Sequence, residues 1–274
     1  MNIDLSINID LARKILTRFI RSEVTRAGFS RAVIGLSGGI DSAVSCALAA
    51  EALGPENVLG VRMPYRTSSP DSLIDAEKTA ACLKIPMQTF DITPMVDPLI
   101  NHETDLSKNR KGNIMARARM IVLYDRSEEF KGLVIGTSNK TEILLGYTTM
   151  WGDMAAAINP VGDLYKTQLR QLAAALELPQ SVLEKPPSAD LWIGQTDEAE
   201  LGLTYAEVDR LLYLLIDQRY TPEDCVEAGF DRAYVDKVLT RVRRNQFKRM
   251  MPPIAKLSNR TIGYDFLYLR DWGT

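Results

Sequence analysis

The residues best suited to chemistry are those of GLSGGIDS, positions 35–42, which follow the apolar run Ala32-Val33-Ile34 and lead into the small-residue series AVSCALAAEAL. A strand, a tight glycine turn and a helix are the natural reading. Glycines let a ligand approach the backbone closely, and the first N–H groups of a helix, helped by its dipole, attract anions. Phosphate is the natural guest. Asp41 lies in the same loop, and a carboxylate beside phosphates repels them unless a cation intervenes, which points to Mg²⁺ shared between carboxylate and phosphate oxygens. Two common phosphate loops are excluded: no GxxxxGK[ST] occurs, position 41 is an acid, and GxGxxG is absent. On these residues alone a ligand-free reading also stands, a tight turn with Asp41 favourably placed in the first helical turn.

Other chemistries are limited by what the chain lacks. His102 is the single histidine, so a histidine-rich metal site is excluded, and nothing around NHETD resembles a nucleophile elbow. Cys46, Cys82 and Cys225 are far apart and form no CxxC, which argues for a reducing compartment, against a disulfide frame or zinc knuckle, and for buried small side chains. The 274 residues, 46% hydrophobic and 25% charged with a formal charge of -2, suit one globular domain and give no polycationic field, so no nucleic-acid partner is expected. Positive charge is concentrated locally in RVRRNQFKR, positions 241–249. The start, MNIDLSINIDLARK, has no signal-peptide core, and no apolar run is long enough for a bilayer, so no membrane partner and a cytoplasmic location are expected.

The elements that must position the loop alternate. Helical spacing marks residues 11–28 as an N-terminal helix; strands are expected at 31–36, 57–63, 86–92 and 132–136, and helices at 42–53, about 73–83 and 113–130. This pattern implies an α/β fold, a doubly wound parallel sheet with helices on both faces. Ligands in such folds sit beyond the carboxyl ends of strands, so GLSGG, MPYRTSSP and GTSNKTE should face one crevice. After Tyr147 the chain reads as helical and loop-rich, and EKPPSADLWIGQTDEAELG is long and irregular enough to be a functional lid.

SGGIDS matches the SGGxDS signature of ATP pyrophosphatases, which split ATP into AMP and pyrophosphate while adenylating a substrate. NIMARARMIVLY, VIGTSNKTEILLGYTTMWGD, INPVGDLYKTQLRQLA and EKPPSADLWIGQTDEAELG further resemble ammonia-dependent NAD synthetases, in order and over essentially the whole chain. The resemblance implies a Rossmann-like adenine-nucleotide fold in a single domain over 1–274. Within it would lie an ATP pyrophosphatase core at 31–176, a lid at 184–205 and a helical tail at 206–274. No glutaminase domain is expected within the chain. The implied reaction is the ATP-dependent amidation of deamido-NAD by ammonia, giving NAD, AMP and pyrophosphate through an adenylated carboxylate.

Carried over position by position, the resemblance implies that Gly35, Leu36, Ser37, Gly38, Gly39, Ile40, Asp41 and Ser42 bind ATP phosphates and that Asp41 and Glu142 hold Mg²⁺. Thr137 and Ser188 would contact ATP, Arg62 and Met63 lie where adenosine is expected, and Lys166 would neutralise the departing pyrophosphate. Asp41, Glu142 and Lys166 are thus the expected catalytic set. For deamido-NAD the corresponding residues are Arg117, Asp153, Phe247 and Lys248. The chain departs from the family pattern at Met150, Ala157 and Phe247, where lysine, aspartate and histidine are expected, and GDMAAAIN is closer to glutamine-dependent synthetases. The resemblance also implies a homodimer with the deamido-NAD site at the subunit interface. Three alternatives stand beside it: a related ATP pyrophosphatase acting on another carboxylate or a tRNA base, a synthetase subunit fed by a separate glutaminase, and a non-catalytic ATP sensor.

Overall fold

The computed structural model describes residues 3–188, 190–192 and 194–266; positions 189 and 193 of the expected lid and 267–274 of the expected tail lie outside them. Four short parallel strands form the centre: β1 (Arg31–Gly35), β2 (Val58–Arg62), β3 (Met87–Thr89) and β4 (Gly132–Val134), in the order β3-β2-β1-β4. Ala32 pairs with Val58, Arg31 with Gly132, and Gly60 with Met87. The order places neighbours on opposite sides of β1, so the crevice where ligands bind an open α/β sheet opens between the carboxyl ends of β1 and β4. Beyond β4, Ile135 bridges Ile158, which brings the INP segment alongside.

Alternation along β1 divides the core. Ala32 and Ile34 face a layer built from α1 (Ile9–Arg26), α2 (Ile40–Leu53), α3 (Pro70–Leu83), α7 (Lys166–Ala174) and α8 (Gln180–Glu184), whereas Val33 faces α4 (Thr93–Asn101) and α5 (Lys108–Phe130). Helices therefore cover both faces, as the alternating pattern requires. Helix α2 is buried nearly all round, and its small residues Ala43, Ala47 and Ala50 let the sheet and α1 both pack closely against it. That packing fixes the direction of its N-terminus, where Asp41 stands. A separate core joins α6 (Lys140–Leu145) to α10 (Tyr205–Leu212), α11 (Pro222–Glu227) and α12 (Arg232–Arg244), and α9 (Asp197–Leu201) lies inside the stretch expected to be a lid.

Several boundaries differ from the sequence reading. The strand expected over 86–92 has three residues; thereafter Phe90 N–H and Ile92 N–H bond only to the carbonyls of Arg62 and Pro64, and helix α4 begins at once. Periodicity does not mark this helix because Pro94 and Pro98 interrupt its pattern. The strand expected over 132–136 ends at Val134. Helix α5 starts at Lys108 rather than 113, capped by the Ser107 side chain, which accepts from Arg110 N–H. Helices α2 and α3 begin at Ile40 and Pro70, earlier than the expected 42 and 73.

Candidate active site

The glycine loop spans the turn from β1 into α2. Gly38 adopts φ +78°, and a Cβ there would lie 2.1 Å from the Ser72 carbonyl oxygen, so only glycine fits. Ser42 Oγ donates to Gly39 O (2.9 Å), Ser37 N–H donates to Ser42 Oγ (3.3 Å), and Gly39 N–H donates to Ser37 Oγ (3.3 Å). The loop is thus braced by its own serines. Gly39 is the N-cap of α2 and has no side chain to satisfy the first helical N–H groups, so those of Ile40 and Asp41 are available to an anion.

Three charges meet beside this loop. Lys166, whose side chain is only 2% exposed, places its ammonium against Asp41 Oδ2 and 3.3 Å from Glu142 Oε1. Burial opposes the charge on Lys166, but the Asp41 and Glu142 carboxylates outweigh it and hold the lysine above its usual range. Burial, reinforced by Asp41, pushes Glu142 up to about 8. Glu142 therefore holds its proton at neutral pH and is a second carboxyl that would ionise on the arrival of a further cation. A third carboxyl, Asp197, lies beside them: it is buried, Tyr205 OH donates to its Oδ2 (3.2 Å), and burial raises its pKa.

Buried polar bonds fix the elements that carry these charges. Asn139 caps α6 by accepting from Glu142 N–H (3.0 Å) and donates through Nδ2 to Asp41 Oδ1 (2.8 Å). At the start of α7, Thr141 Oγ1 accepts from Lys166 N–H (3.0 Å) and donates to Asp209 Oδ1 (2.5 Å), while Thr167 N–H donates to Asp209 Oδ2 (2.8 Å). A carboxylate from α10 thereby satisfies one otherwise unpaired N–H at the helix end that carries Lys166 and holds the Thr141 hydroxyl that satisfies the other.

The loop and the charged cluster line one cavity of about 720 Å³, which extends past the ends of β2 and β4 to Lys185, Ser188, Asp190 and Lys248. Its outer wall is tied down: Ser69 N–H donates to Asp190 (3.1 Å), Lys185 Nζ reaches Asp75 (3.1 Å), and Tyr147 OH donates to Glu200 (2.8 Å).

The sequence pattern of the NAD synthase family matches residues 12–252. The chain belongs to this family. It is 54% identical over 269 residues to the NH₃-dependent NAD⁺ synthetase of Trichlorobacter lovleyi, with 98% of each chain covered. In structure it is similar to the NMN synthetase of Francisella tularensis (TM-score 0.81, 31% identity, 91% of this chain and 99% of that one). It is also similar to the NH₃-dependent NAD synthetase of Campylobacter jejuni in complex with nitrate (TM-score 0.78, 32% identity, 92% and 100%). The Rossmann-like fold expected from the sequence is the fold of these neighbours.

Of the residues singled out by the resemblance to NAD synthetases, the cavity is lined by Gly35, Leu36, Ser37, Gly39, Ile40, Asp41, Ser42, Arg62, Met63, Thr137, Glu142, Asp153, Lys166, Ser188 and Lys248. Gly38 sits behind them against Ser72. Arg62 has most of its guanidinium committed, to Glu77 (2.7 Å), Leu73 O (3.0 Å) and Thr89 Oγ1 (3.1 Å). Met63 both lines the cavity and belongs to the core. Ser188 is exposed and accepts from Asp190 N–H (3.1 Å). Asp153 accepts from Thr149 N–H (2.7 Å), and Lys248 donates to Gly146 O (2.7 Å) and Thr148 O (2.6 Å), its pKa lowered by burial. Arg117 and Phe247 are not brought to this cavity: both are exposed, and Arg117 donates to Met150 O (3.2 Å).

Arg119 was missed by the sequence reading. It lines the cavity with Nε on Met63 O (3.1 Å), burial lowers its pKa, and no carboxylate among the described residues pairs with it. Residues i and i+2 of a helix face different directions, so the ARAR run puts one arginine outward and one inward. Asn139 and Asp209 were also missed, although the N-x-x-E spacing of Asn139 and Glu142 is a capping-box signature.

The donor set fits a magnesium ion. Two carboxyl groups converge on one point beside the phosphate loop, where a cation would favour the ionised form of both, and Mg²⁺ is typically held by one or two carboxylates plus substrate phosphates and water.

Proposed function

We propose that the chain amidates the carboxylate of deamido-NAD with ammonia, consuming ATP and releasing AMP and pyrophosphate. The observation that carries this reading is the junction of the glycine loop with the Asp41–Lys166–Glu142 cluster at the end of β1. It supplies N–H donors for phosphates and charge control for a leaving pyrophosphate without any side-chain nucleophile. The nicotinate carboxylate attacks the α-phosphorus, the bond to the β-phosphate oxygen breaks, and an acyl adenylate forms. Loop N–H groups and Lys166 take up the negative charge that develops on the leaving group. Magnesium, held by Asp41 and Glu142, would supply further neutralisation. Ammonia then attacks the acyl carbon, and AMP departs.

Positioning and charge stabilisation thus provide the rate. Thr137 and Ser188 contact ATP, Arg62 and Met63 flank its adenosine, and the 184–205 segment excludes water, which competes with ammonia for the adenylate. Asp153 and Lys248 receive deamido-NAD from within one chain. Arg117 and Phe247 lie outside the single-chain cavity, which supports a homodimer whose second copy completes the pocket. No helix among the described residues is long and apolar enough to cross a membrane.

The test measures AMP, pyrophosphate and amide product from ATP and deamido-NAD, comparing ammonium with glutamine. NMN formation from its deamidated form is followed in parallel, because one structural neighbour is named an NMN synthetase. Equal yields of NAD, AMP and pyrophosphate with ammonium, lost in Asp41→Ala and Glu142→Ala, are expected. Product only with glutamine and an added glutaminase would favour a subunit fed by that partner, and nucleotide binding with no pyrophosphate release would refute catalysis.

A further inference from the structure

We infer that Asn139 is the positioning residue that aims both cation-facing carboxylates of the site; the inference rests on the proposed function. Asn139 is completely buried, and three of its polar groups go to those two acids. Its side-chain oxygen accepts from Glu142 N–H (3.0 Å), its backbone N–H donates to Glu142 Oε2 (3.3 Å), and its Nδ2 donates to Asp41 Oδ1 (2.8 Å) from 98 positions away.

An ordinary capping box accounts for the first two of these bonds. Serine and aspartate would supply the cap as well as asparagine does. What favours an amide is the last bond, because an amide presents its acceptor and its donor on two separate atoms that can reach two partners at once, whereas a hydroxyl has one shorter oxygen for both. With Oδ1 of Asp41 held by a neutral donor, its other oxygen is left for a cation, and in this structure Lys166 takes it. The reciprocal bond to Glu142 Oε2 likewise leaves Oε1 directed at the same ammonium. Asn139 thereby divides each carboxylate into one anchored oxygen and one free oxygen, and points both free oxygens at one place. Two acids brought together without such anchors would swing apart once the lysine moved toward a leaving group.

The cap and the aiming function separate in Asn139→Ser, whose single shorter hydroxyl keeps an acceptor for Glu142 N–H and removes the separate amide nitrogen that reaches Asp41. Manganese binding, followed by its electron paramagnetic resonance in the presence of α,β-methylene-ATP, reads the carboxylate pair without turnover. A donor to a charged group is worth enough that Mn²⁺ affinity should fall about tenfold or more, with the thermal midpoint changed little. In steady state the Mg²⁺ concentration for half-maximal rate should rise similarly, and kcat should recover at saturating Mg²⁺. In an Asp41→Asn background the same change should have little further effect on Mn²⁺ affinity, since its route is gone. Asn139→Thr is the second variant should the serine protein fold poorly. Mn²⁺ affinity within twofold of wild type in either folded variant, or an equal loss in the Asp41→Asn background, overturns the inference. Because Mn²⁺ binding is measured without reaction, a failure of the proposed amidation would show separately in the wild-type assay.

Discussion

Replacing Lys166 by methionine, which is unbranched and fills similar space, tests the charge arrangement most directly. The ammonium lies 3.3 Å from Glu142 Oε1 and in contact with Asp41. At an effective dielectric of about 20, a pair at that distance attracts by about 5 kcal/mol before desolvation, and removing one member of a buried pair typically costs about 3–5 kcal/mol. The pH dependence follows from Glu142. Its folded pKa, about 8, lies above the ordinary glutamate value, so the folded state holds a proton that the unfolded state has released. Stability from this group is present at low pH and lost as pH rises to 8. Below pH 8 Glu142 is mostly neutral with or without Lys166, and the variant loses chiefly the partner of Asp41, about 3 kcal/mol. Above pH 8 the wild-type Glu142 ionises against Lys166, whereas in the variant its pKa is higher still and the proton stays on. The stability gap should therefore be flat between about pH 6 and 8 and widen by up to about 1.4 kcal/mol per unit above it. Urea unfolding of the nucleotide-free proteins from pH 6 to 9.5 measures this, and kcat/KM for ATP should fall about 10²–10³-fold. A gap below 1 kcal/mol at pH 7, or one that narrows above pH 8, would refute the reasoning.

Gly38→Ala places a Cβ against the Ser72 carbonyl at a positive φ; a loss of about 2 kcal/mol or more in denaturant unfolding and a raised KM for ATP are expected, and unchanged ATP binding would show that the loop does not hold phosphates. Glu142→Gln removes the group whose stability contribution falls as pH rises toward 8, so its unfolding free energy relative to wild type should rise by at least about 1 kcal/mol between pH 5 and 8 while NAD formation is lost. Arg119→Met removes a desolvated cation that has no carboxylate partner among the described residues; the thermal midpoint should hold or rise, and KM for one anionic substrate should increase about tenfold, whereas unchanged KM values for both would make Arg119 purely structural.

The parts of the fold that were legible are those set by local rules. The glycine turn, the all-small face of α2 and the strand at 58–62 follow from adjacent residues, and alternation of strand and helix leaves few topologies. Helix α4 was hidden because its two prolines break the pattern on which recognition depends, although a proline in the first turn is compatible with a helix. The strand expected over 86–92 was overread for the complementary reason: its chain runs on beside β2, but past Thr89 the regular ladder has ended.

At the site, legibility stopped where chemistry depends on distant partners. Asp41 could be read as a cation ligand because the phosphate loop around it is local, whereas Glu142 and Lys166 looked like ordinary helix-start residues until the family resemblance marked them. They lie 24 residues apart, and Lys166 is 125 residues from Asp41; only the placement of β4 next to β1 brings them together. Asn139 reads as a cap in sequence because its cap is local and its bond to Asp41 is not. The same distance hides the energetics. Asp41, Glu142 and Asp197 surround one buried ammonium, and burial raises the pKa of Glu142 and Asp197, so a further cation would favour their ionised forms. A nucleotide arriving with its magnesium would draw those protons off, and stability and substrate binding would then be coupled through the same carboxylates. Glu142→Gln should accordingly stabilise the free protein as pH rises toward 8 and disable the enzyme, whereas neutralising Asp41 would strand the buried Lys166 ammonium and destabilise the protein.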